Sequence, residues 1–315
     1  MHIVVGREVE EFRLEAMRAE FPEATFTSVV QEPETIKDAD GFIGRIPADV
    51  YYQASDKLKW VHSPGAGIET IIAIPELVAS DIQVSNGRGA HAPFVAEHTM
   101  ALLLAVNRRL NEFALNKSRH HFHPWGRGLE FSSLYGKRML IVGMGNIGRA
   151  IAKRAEGFEM EVVGVDLFVP PVSDDTTVIL PLDHLDEEIA KADVVVIAVP
   201  HTKETENLIN ADRVGSMKKG SVLVGISRGH IIDEAALIER LTDGTLYGAG
   251  LDVFAQEPLP EDSPLWDVPN LVITPHCAPN SPLTRDREYE IIHDNIRRFI
   301  DGSPLRNVCD KVAGF

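Results

Sequence analysis

Arg228, Glu257 and His276 stand far apart along the chain, yet each follows closely on an apolar run: GSVLVGIS before the arginine, GLDVF before the glutamate and LVIT before the histidine. Short apolar runs bounded by polar residues read as buried strands, so all three are expected on loops at strand ends. Together these residue types suit one chemistry. Reduction of a ketone leaves an alkoxide unless a proton arrives with the hydride. A general acid must therefore stand at the carbonyl oxygen, and histidine suits that task near neutral pH. A carboxylate beside it orients the ring and favours the imidazolium. An arginine can hold a substrate carboxylate in a two-point fork and draw electron density from the carbonyl, which lysine does less well. Singly, each residue has a plainer reading: a helix-capping surface cation, a loop carboxylate before Pro258 and a turn histidine after Pro275.

The partner for such chemistry is written between Arg138 and Asp166. The apolar run Met139 to Val142 reads as a strand, Gly143, Gly145 and Gly148 fit G-x-G-x-x-G, and Ile147, Ala150, Ile151 and Ala152 give the apolar face of a helix. The first glycine permits the tight bend, the second lets backbone approach a pyrophosphate, and the third lets helix pack close to strand. Unpaired N–H groups at the helix start, around Asn146 and Ile147, face the anion. A second strand from Glu161 ends in Asp166, near the spacing of about 20 residues expected of the acid that holds an adenosine ribose. Leu167, Phe168 and Val169 follow, with no Arg or Lys to receive a 2′-phosphate, so NAD(H) is expected over NADP(H).

Strands alternate with helices on both sides of this turn, which implies right-handed crossovers and parallel sheets. The expected fold is α/β with two Rossmann-like domains. A doubly wound NAD domain over 108–280 is inserted in a smaller flavodoxin-like substrate domain made of 1–107 and 281–315. Pro93 to about Lys117 lacks internal Gly and Pro and reads as one long, largely buried helix, with His91 and His98 as packing residues. The tail Leu283 to Ile300 reads as a helix stopped by Gly302, Ser303 and Pro304 and packed back on the small domain. In that domain Pro64-Gly65-Ala66-Gly67 falls between a strand and a helix. The Ala66 and Gly67 N–H groups could receive a carboxylate, or the glycines could serve only a turn of positive φ.

At 315 residues, two domains are the prior, and 44% hydrophobic with 25% charged residues is ordinary globular composition. No apolar run approaches the roughly 18 residues of a membrane span, and the N-terminus MHIVVGREVEEF carries no secretory pattern. Two cysteines, Cys277 and Cys309, form neither a disulfide framework nor a metal-ligand pattern, so a reducing cytoplasm and no metal are expected. The net charge of −16 argues against nucleic-acid or anionic-membrane partners, and it requires that local cations hold any anionic substrate against the global field. His120, His121 and His123 in RHHFHPW lack the i, i+4 spacing of a helical zinc pair and are read as an exposed loop or subunit contact.

With the glycine turn, VAEHTMALLLAVNRR, VPHTKETENLI, SRGHIIDEAAL, GAGLDVFAQEPLP and SPLWDVPNLVITPHCA in this order, the chain resembles the D-isomer-specific 2-hydroxyacid dehydrogenases, of the glyoxylate/hydroxypyruvate reductase or phosphoglycerate dehydrogenase kind. The resemblance implies a split substrate domain, a cleft beside the NAD domain and a homodimer formed mainly through the NAD domain. It implies a small anionic 2-keto or 2-hydroxy acid as substrate, His276 as acid/base, Glu257 as its partner and Arg228 as the carboxylate ligand. Asp252 would meet the nicotinamide amide, Pro200, Thr205, Ile226 and Ser227 would line the cofactor, and Ala66 and Gly67 would give N–H groups to the substrate. Gly225 and Pro279 depart from the residues common in the family at those positions, and this leaves the substrate side chain open. Arg45 and Arg88 could read a second anionic group or be solvated surface residues. Glu257 separates the chain from formate dehydrogenase relatives, which carry glutamine there. The alternative function is that of an NAD(H)-sensing corepressor-like binding protein.

Overall fold

The apolar runs of the sequence become parallel strands in two sheets, each carried by its own compact unit. The computed structural model describes residues 1–169 and 177–314. One unit comprises Met1–His91 with Ser281–Phe315 and the other Ala92–Asn280. No helix among the described residues is long and apolar enough to cross a membrane.

In the smaller unit, β1 (His2–Val5), β2 (Thr25–Ser28), β3 (Gly41–Ile43), β4 (Trp60–Ser63) and β5 (Gln83–Asn86) form a five-stranded sheet of order β2-β1-β3-β4-β5. All its pairings are parallel, the flavodoxin-like arrangement. Ile3, Val4 and Val5 are all inaccessible to solvent, as expected of a strand covered on both faces. The C-terminal helix Thr284–Asp301 supplies part of that cover, burying Ile292 and Ile296 against Ile3, Val5 and Trp60. It stops at Gly302, whose φ of 68° favours glycine.

A buried polar network sits inside this unit. Trp60 Nε1 donates to Ser85 Oγ at 2.8 Å, and His62 Nδ1 lies 2.8 Å from the same hydroxyl. Burial pushes the His62 pKa down to about 3. The folded chain therefore holds His62 neutral while the unfolded chain protonates it near 6.5. Stability from this group is intact above that value and is lost as pH falls from about 6.5 towards 3, by about 1.4 kcal/mol per pH unit. His62→Phe should flatten the acid limb of a urea-denaturation series between pH 6.5 and 4.5. An acid limb as steep as the wild type's would assign the sensitivity elsewhere.

The larger unit holds seven strands, β6 (Arg138–Val142), β7 (Glu161–Asp166), β8 (Val178–Pro181), β9 (Val194–Ile197), β10 (Val222–Gly225), β11 (Gly248–Leu251) and β12 (Leu271–Ile273). Their order is β12-β11-β10-β9-β6-β7-β8, parallel throughout. Chain direction across the sheet reverses between β6 and β9, the switch point at which doubly wound sheets bind ligands outside their carboxyl ends.

The helix Ala92–Asn107 belongs to this unit, so the boundary expected at 107/108 lies at 91/92. The cause is packing. A Cβ on Gly250 would stand 2.9 Å from Leu102, and one on Gly248 only 2.6 Å from Val106, so these glycines let the helix lie against β11. Leu102, Leu103 and Val106 join Ile141, Val196 and Val224 in one core. The single long helix expected to about Lys117 is broken at Arg109, which takes a left-handed φ of 55°. The following helix, Leu110–Ser118, buries none of its residues.

Candidate active site

The glycine turn follows directly from local sterics. Gly143 has a φ of 100°, and a Cβ there would come within 2.8 Å of the Ala198 carbonyl. A Cβ on Gly148 would stand 2.0 Å from Gly143 O, so the helix Asn146–Glu156 can lie close to β6 only with glycine there. Gly145 differs: a Cβ would meet nothing within 4 Å. Among the described residues no protein atom requires glycine at 145, whereas a pyrophosphate brought close to this backbone would. Asn146 is exposed and Ile147 half-buried at the start of that helix. Asp166 ends β7 with its carboxylate turned to the turn, accepting from Met144 N at 2.6 Å and from Phe168 N at 2.9 Å.

Further along the same sheet edge, Thr205 closes the loop after β9 by donating its hydroxyl to Pro200 O at 2.6 Å and accepting from Thr202 N. Ile226 and Ser227 leave β10, Ile226 packed into the core and the buried Ser227 Oγ with no hydrogen-bond partner among the described residues. A buried hydroxyl left in that state costs about 1–3 kcal/mol, which a bound ligand can recover. These features fit a dinucleotide along the carboxyl edge of this sheet.

Arg228, Glu257 and His276 follow β10, β11 and β12, three neighbouring strands in register through Gly225, Leu251 and Ile273. Glu257 and His276 meet. His276 Nδ1 lies 2.7 Å from Glu257 Oε2, while Glu257 Oε1 accepts the Phe254 N–H at 3.0 Å. With Nδ1 given to the carboxylate, Nε2 is the ring atom left for chemistry. His276 has a φ of 50°, held by its N–H to Asp252 O, a backbone state found at sites that aim a side chain. Arg228 sits on the adjoining loop, Nη1 donating to Ser227 O at 2.8 Å. That loop touches the Glu257 loop directly. A Cβ on Gly229 would overlap Phe254 C at 1.8 Å, so only glycine lets the two backbones meet.

Asp252, fully buried, lies beneath this group. It accepts from Thr274 Oγ1 at 2.6 Å and from the N–H groups of Cys277 and Ala278 at 3.0 and 2.9 Å. Burial pushes its carboxyl up, but hydrogen bonds from His98, Thr274 and the two N–H groups outweigh that and hold it below the usual carboxylate range. His98, expected as a satisfied packing histidine, finds its partners here, with Nε2 2.9 Å from Thr274 Oγ1 and 3.4 Å from Asp252 Oδ1. Nothing in the local sequence of the helix signals this, because its partners lie more than 150 residues onward. His91 pairs with Glu288 at 2.7 Å within the smaller unit.

In the smaller unit, Asn86 Nδ2 donates to Ala66 O at 2.6 Å, Ser63 Oγ to Gly67 O at 3.0 Å, and Gly87 N to Gly65 O. The carbonyls of the 64–67 loop thus face into the unit. Among the described residues the Ala66 and Gly67 N–H groups donate to no backbone carbonyl. Arg45, exposed, reaches this loop: its Nη2 stands 3.8 Å from a Cβ built on Gly65. Arg88 is exposed, and its carbonyl accepts from Asn307. His120, His121 and His123 lie beyond the helix Leu110–Ser118, beside Phe113 and Phe122.

Comparison with known proteins bears on the same residues. Residues 100–278 match the model of the D-isomer specific 2-hydroxyacid dehydrogenase NAD binding domain. A glyoxylate reductase of Korarchaeum cryptofilum is 34% identical over 311 residues, covering 96% of this chain and 91% of that protein. A D-3-phosphoglycerate dehydrogenase of Methanocaldococcus jannaschii is 33% identical over 283 residues, 87% of this chain, and the match spans only 52% of that longer protein. Among solved structures, the NADPH-dependent glyoxylate/hydroxypyruvate reductase of Sinorhizobium meliloti, in complex with NADP and sulfate, superposes with a TM-score of 0.83 at 26% identity, covering all of this chain and 99% of its own. The matched NAD-binding model spans the whole edge from glycine turn to His276, and the chain belongs to the D-isomer-specific 2-hydroxyacid dehydrogenase family.

Proposed function

We propose that the protein reduces a small 2-keto acid to the D-2-hydroxy acid, reversibly and with NAD(H). The observation that carries this reading is the 2.7 Å pairing of His276 Nδ1 with Glu257 Oε2, at the carboxyl edge of the sheet that also bears the glycine turn. The cofactor supplies the hydride at its nicotinamide. Glu257, anchored by the Phe254 N–H, keeps the Nδ1 proton and orients the ring. His276 Nε2 then delivers a proton to the carbonyl oxygen, or takes it back in the oxidative direction. Arg228 holds the substrate carboxylate in a two-point fork and polarises the carbonyl. In the smaller unit, the Ala66 and Gly67 N–H groups are assigned to substrate binding.

For the cofactor, the turn at Gly143, Gly145 and Gly148 and the N–H groups of Asn146 and Ile147 receive the pyrophosphate, and Asp166 the adenosine ribose. Pro200, Thr205, Ile226 and Ser227 form its walls, and Asp252 meets the carboxamide. NAD(H) is favoured over NADP(H) because the Asp166 carboxylate would oppose a 2′-phosphate and Leu167 to Val169 bring no cation. A homodimer through the larger unit is supported by the aromatic exposure of Phe122 and Trp125, at 86% and 89%.

The deciding experiment follows NADH and NADPH oxidation with glyoxylate, hydroxypyruvate, pyruvate, phenylpyruvate and branched 2-keto acids. Turnover of at least one acid at about 1 to 10³ s⁻¹, faster with NADH, is expected. Tight NADH binding with no turnover of any acid would sink the enzyme reading in favour of a binding protein that senses NAD(H).

A further inference from the structure

Three ligand types for a soft metal converge beneath the proposed site, where the proposed reaction gives no role to His98 or Cys277. His98 from the helix Ala92–Asn107, Asp252 after β11 and Cys277 after β12 place one imidazole nitrogen, one carboxylate oxygen and one sulfur all within 4.8 Å of one another. Tetrahedral zinc with bonds of about 2.0 to 2.3 Å needs such atoms about 3.4 to 3.6 Å apart. His98 Nε2 already stands 3.4 Å from Asp252 Oδ1. The carboxylate is pre-oriented: Thr274 Oγ1 and the N–H groups of Cys277 and Ala278 fix it, as outer partners fix the ligands of metal sites.

Charge argues the same way. Asp252 has no exposed surface, and among the described residues its only ionic partner is His98. Among the described residues no Lys or Arg pairs with this buried carboxylate, so a bound cation would meet its charge. Thiolate and imidazole together prefer Zn²⁺ or Cd²⁺ to Mg²⁺ or Ca²⁺. Positions 98, 252 and 277 form no spacing motif, so this cluster is invisible before the chain folds.

We propose that His98, Asp252 and Cys277 form a capture site for a soft divalent cation of the zinc class, and that metal and dinucleotide exclude one another there. The metal–sulfur bond forms as the Cys277 thiol releases its proton to solvent, with no change in oxidation state. The exclusion rests on the reading that Asp252 meets the carboxamide of the cofactor, whereas metal binding itself does not. The site would make the protein sensitive to free zinc at levels set by cofactor occupancy.

The test uses the purified full chain without cofactor, titrated with Co²⁺ as a spectroscopic stand-in and with Zn²⁺ by calorimetry. One equivalent of Co²⁺ is expected to give the near-ultraviolet thiolate-to-cobalt charge-transfer band. His120, His121 and His123 cannot produce that band, since it requires sulfur. Cys277→Ser should abolish the band and weaken Zn²⁺ binding by about 10- to 100-fold. Cys309→Ser should keep both, and His98→Gln should weaken binding independently. Absence of the band in the wild type, or its survival in Cys277→Ser, overturns the metal site. Saturating NADH should bleach the band. A band that persists with NADH bound overturns the exclusion and the placement of Asp252 at the cofactor, and leaves the metal site standing.

Discussion

His276→Ala is expected to lower kcat by about 10²- to 10⁴-fold, the usual contribution of a positioned acid or base, with NADH affinity and thermal stability nearly unchanged. The small structural effect follows from exposure. The His276 side chain is 39% accessible and its partner Glu257 35%, so truncation opens no core cavity, and a pair in that setting contributes roughly 0–1 kcal/mol. Glu257→Gln keeps the hydrogen-bonding shape but removes the charge that favours the imidazolium, and should cost less than loss of the ring. Because the carboxylate acts through the imidazole, the double variant should be no slower than His276→Ala alone. Steady-state kinetics with the best acid of the panel, beside NADH titrations and melting curves, give all three numbers. An unchanged kcat in His276→Ala would remove the proposed proton carrier. An additive double variant would mean that Glu257 contributes to turnover by a route other than the ring.

That Arg228, Glu257 and His276 follow neighbouring strands, and that the last two meet, was legible in the sequence because each follows a short apolar run and a parallel sheet sends all such ends to one edge. The glycine turn was legible for a related reason: the requirement is local, and Gly143 and Gly148 meet backbone that lies close by in the fold. What escaped depends on contacts distant in sequence. The apolar density of Ala92 to Asn107 announces burial without saying against what, and the answer is written in Gly248 and Gly250, about 140 residues later. His98 faces its own helix neighbours in sequence but Thr274 and Asp252 in space. The break at Arg109 carries no Gly or Pro to announce it; a non-glycine residue takes the left-handed conformation there because the chain must leave the core. Arg45 could be either substrate-reading or solvated on sequence grounds. In the fold it is exposed, with Nη2 3.8 Å from a Cβ built on Gly65.

Arg228→Ala should lower kcat/KM by about 30- to 5,000-fold, equivalent to the 2–5 kcal/mol lost when one partner of a hydrogen-bonded charge pair is removed. Most of the loss is expected in KM if the fork serves binding alone, and in kcat as well if it polarises the carbonyl. Arg228→Lys separates charge from geometry. Lysine restores the cation but not the planar two-point contact, so it should recover only part of the loss. Gly229 against Phe254 and Ala255 and the strand register at Gly225 set this loop, and melting curves beside the kinetics check that either variant keeps it. A ketone lacking the carboxylate supplies the control. It should be a poor substrate for the wild type and equally poor for Arg228→Ala, since the group that the arginine recognises is gone. The global charge of −16 sharpens the contrast, for raising ionic strength screens the repulsion that an anionic substrate meets and should lower KM for the wild type and Arg228→Ala alike, leaving their ratio intact. A ratio near one at every ionic strength would show that the substrate carboxylate is held elsewhere, with Arg45 the next cation to test.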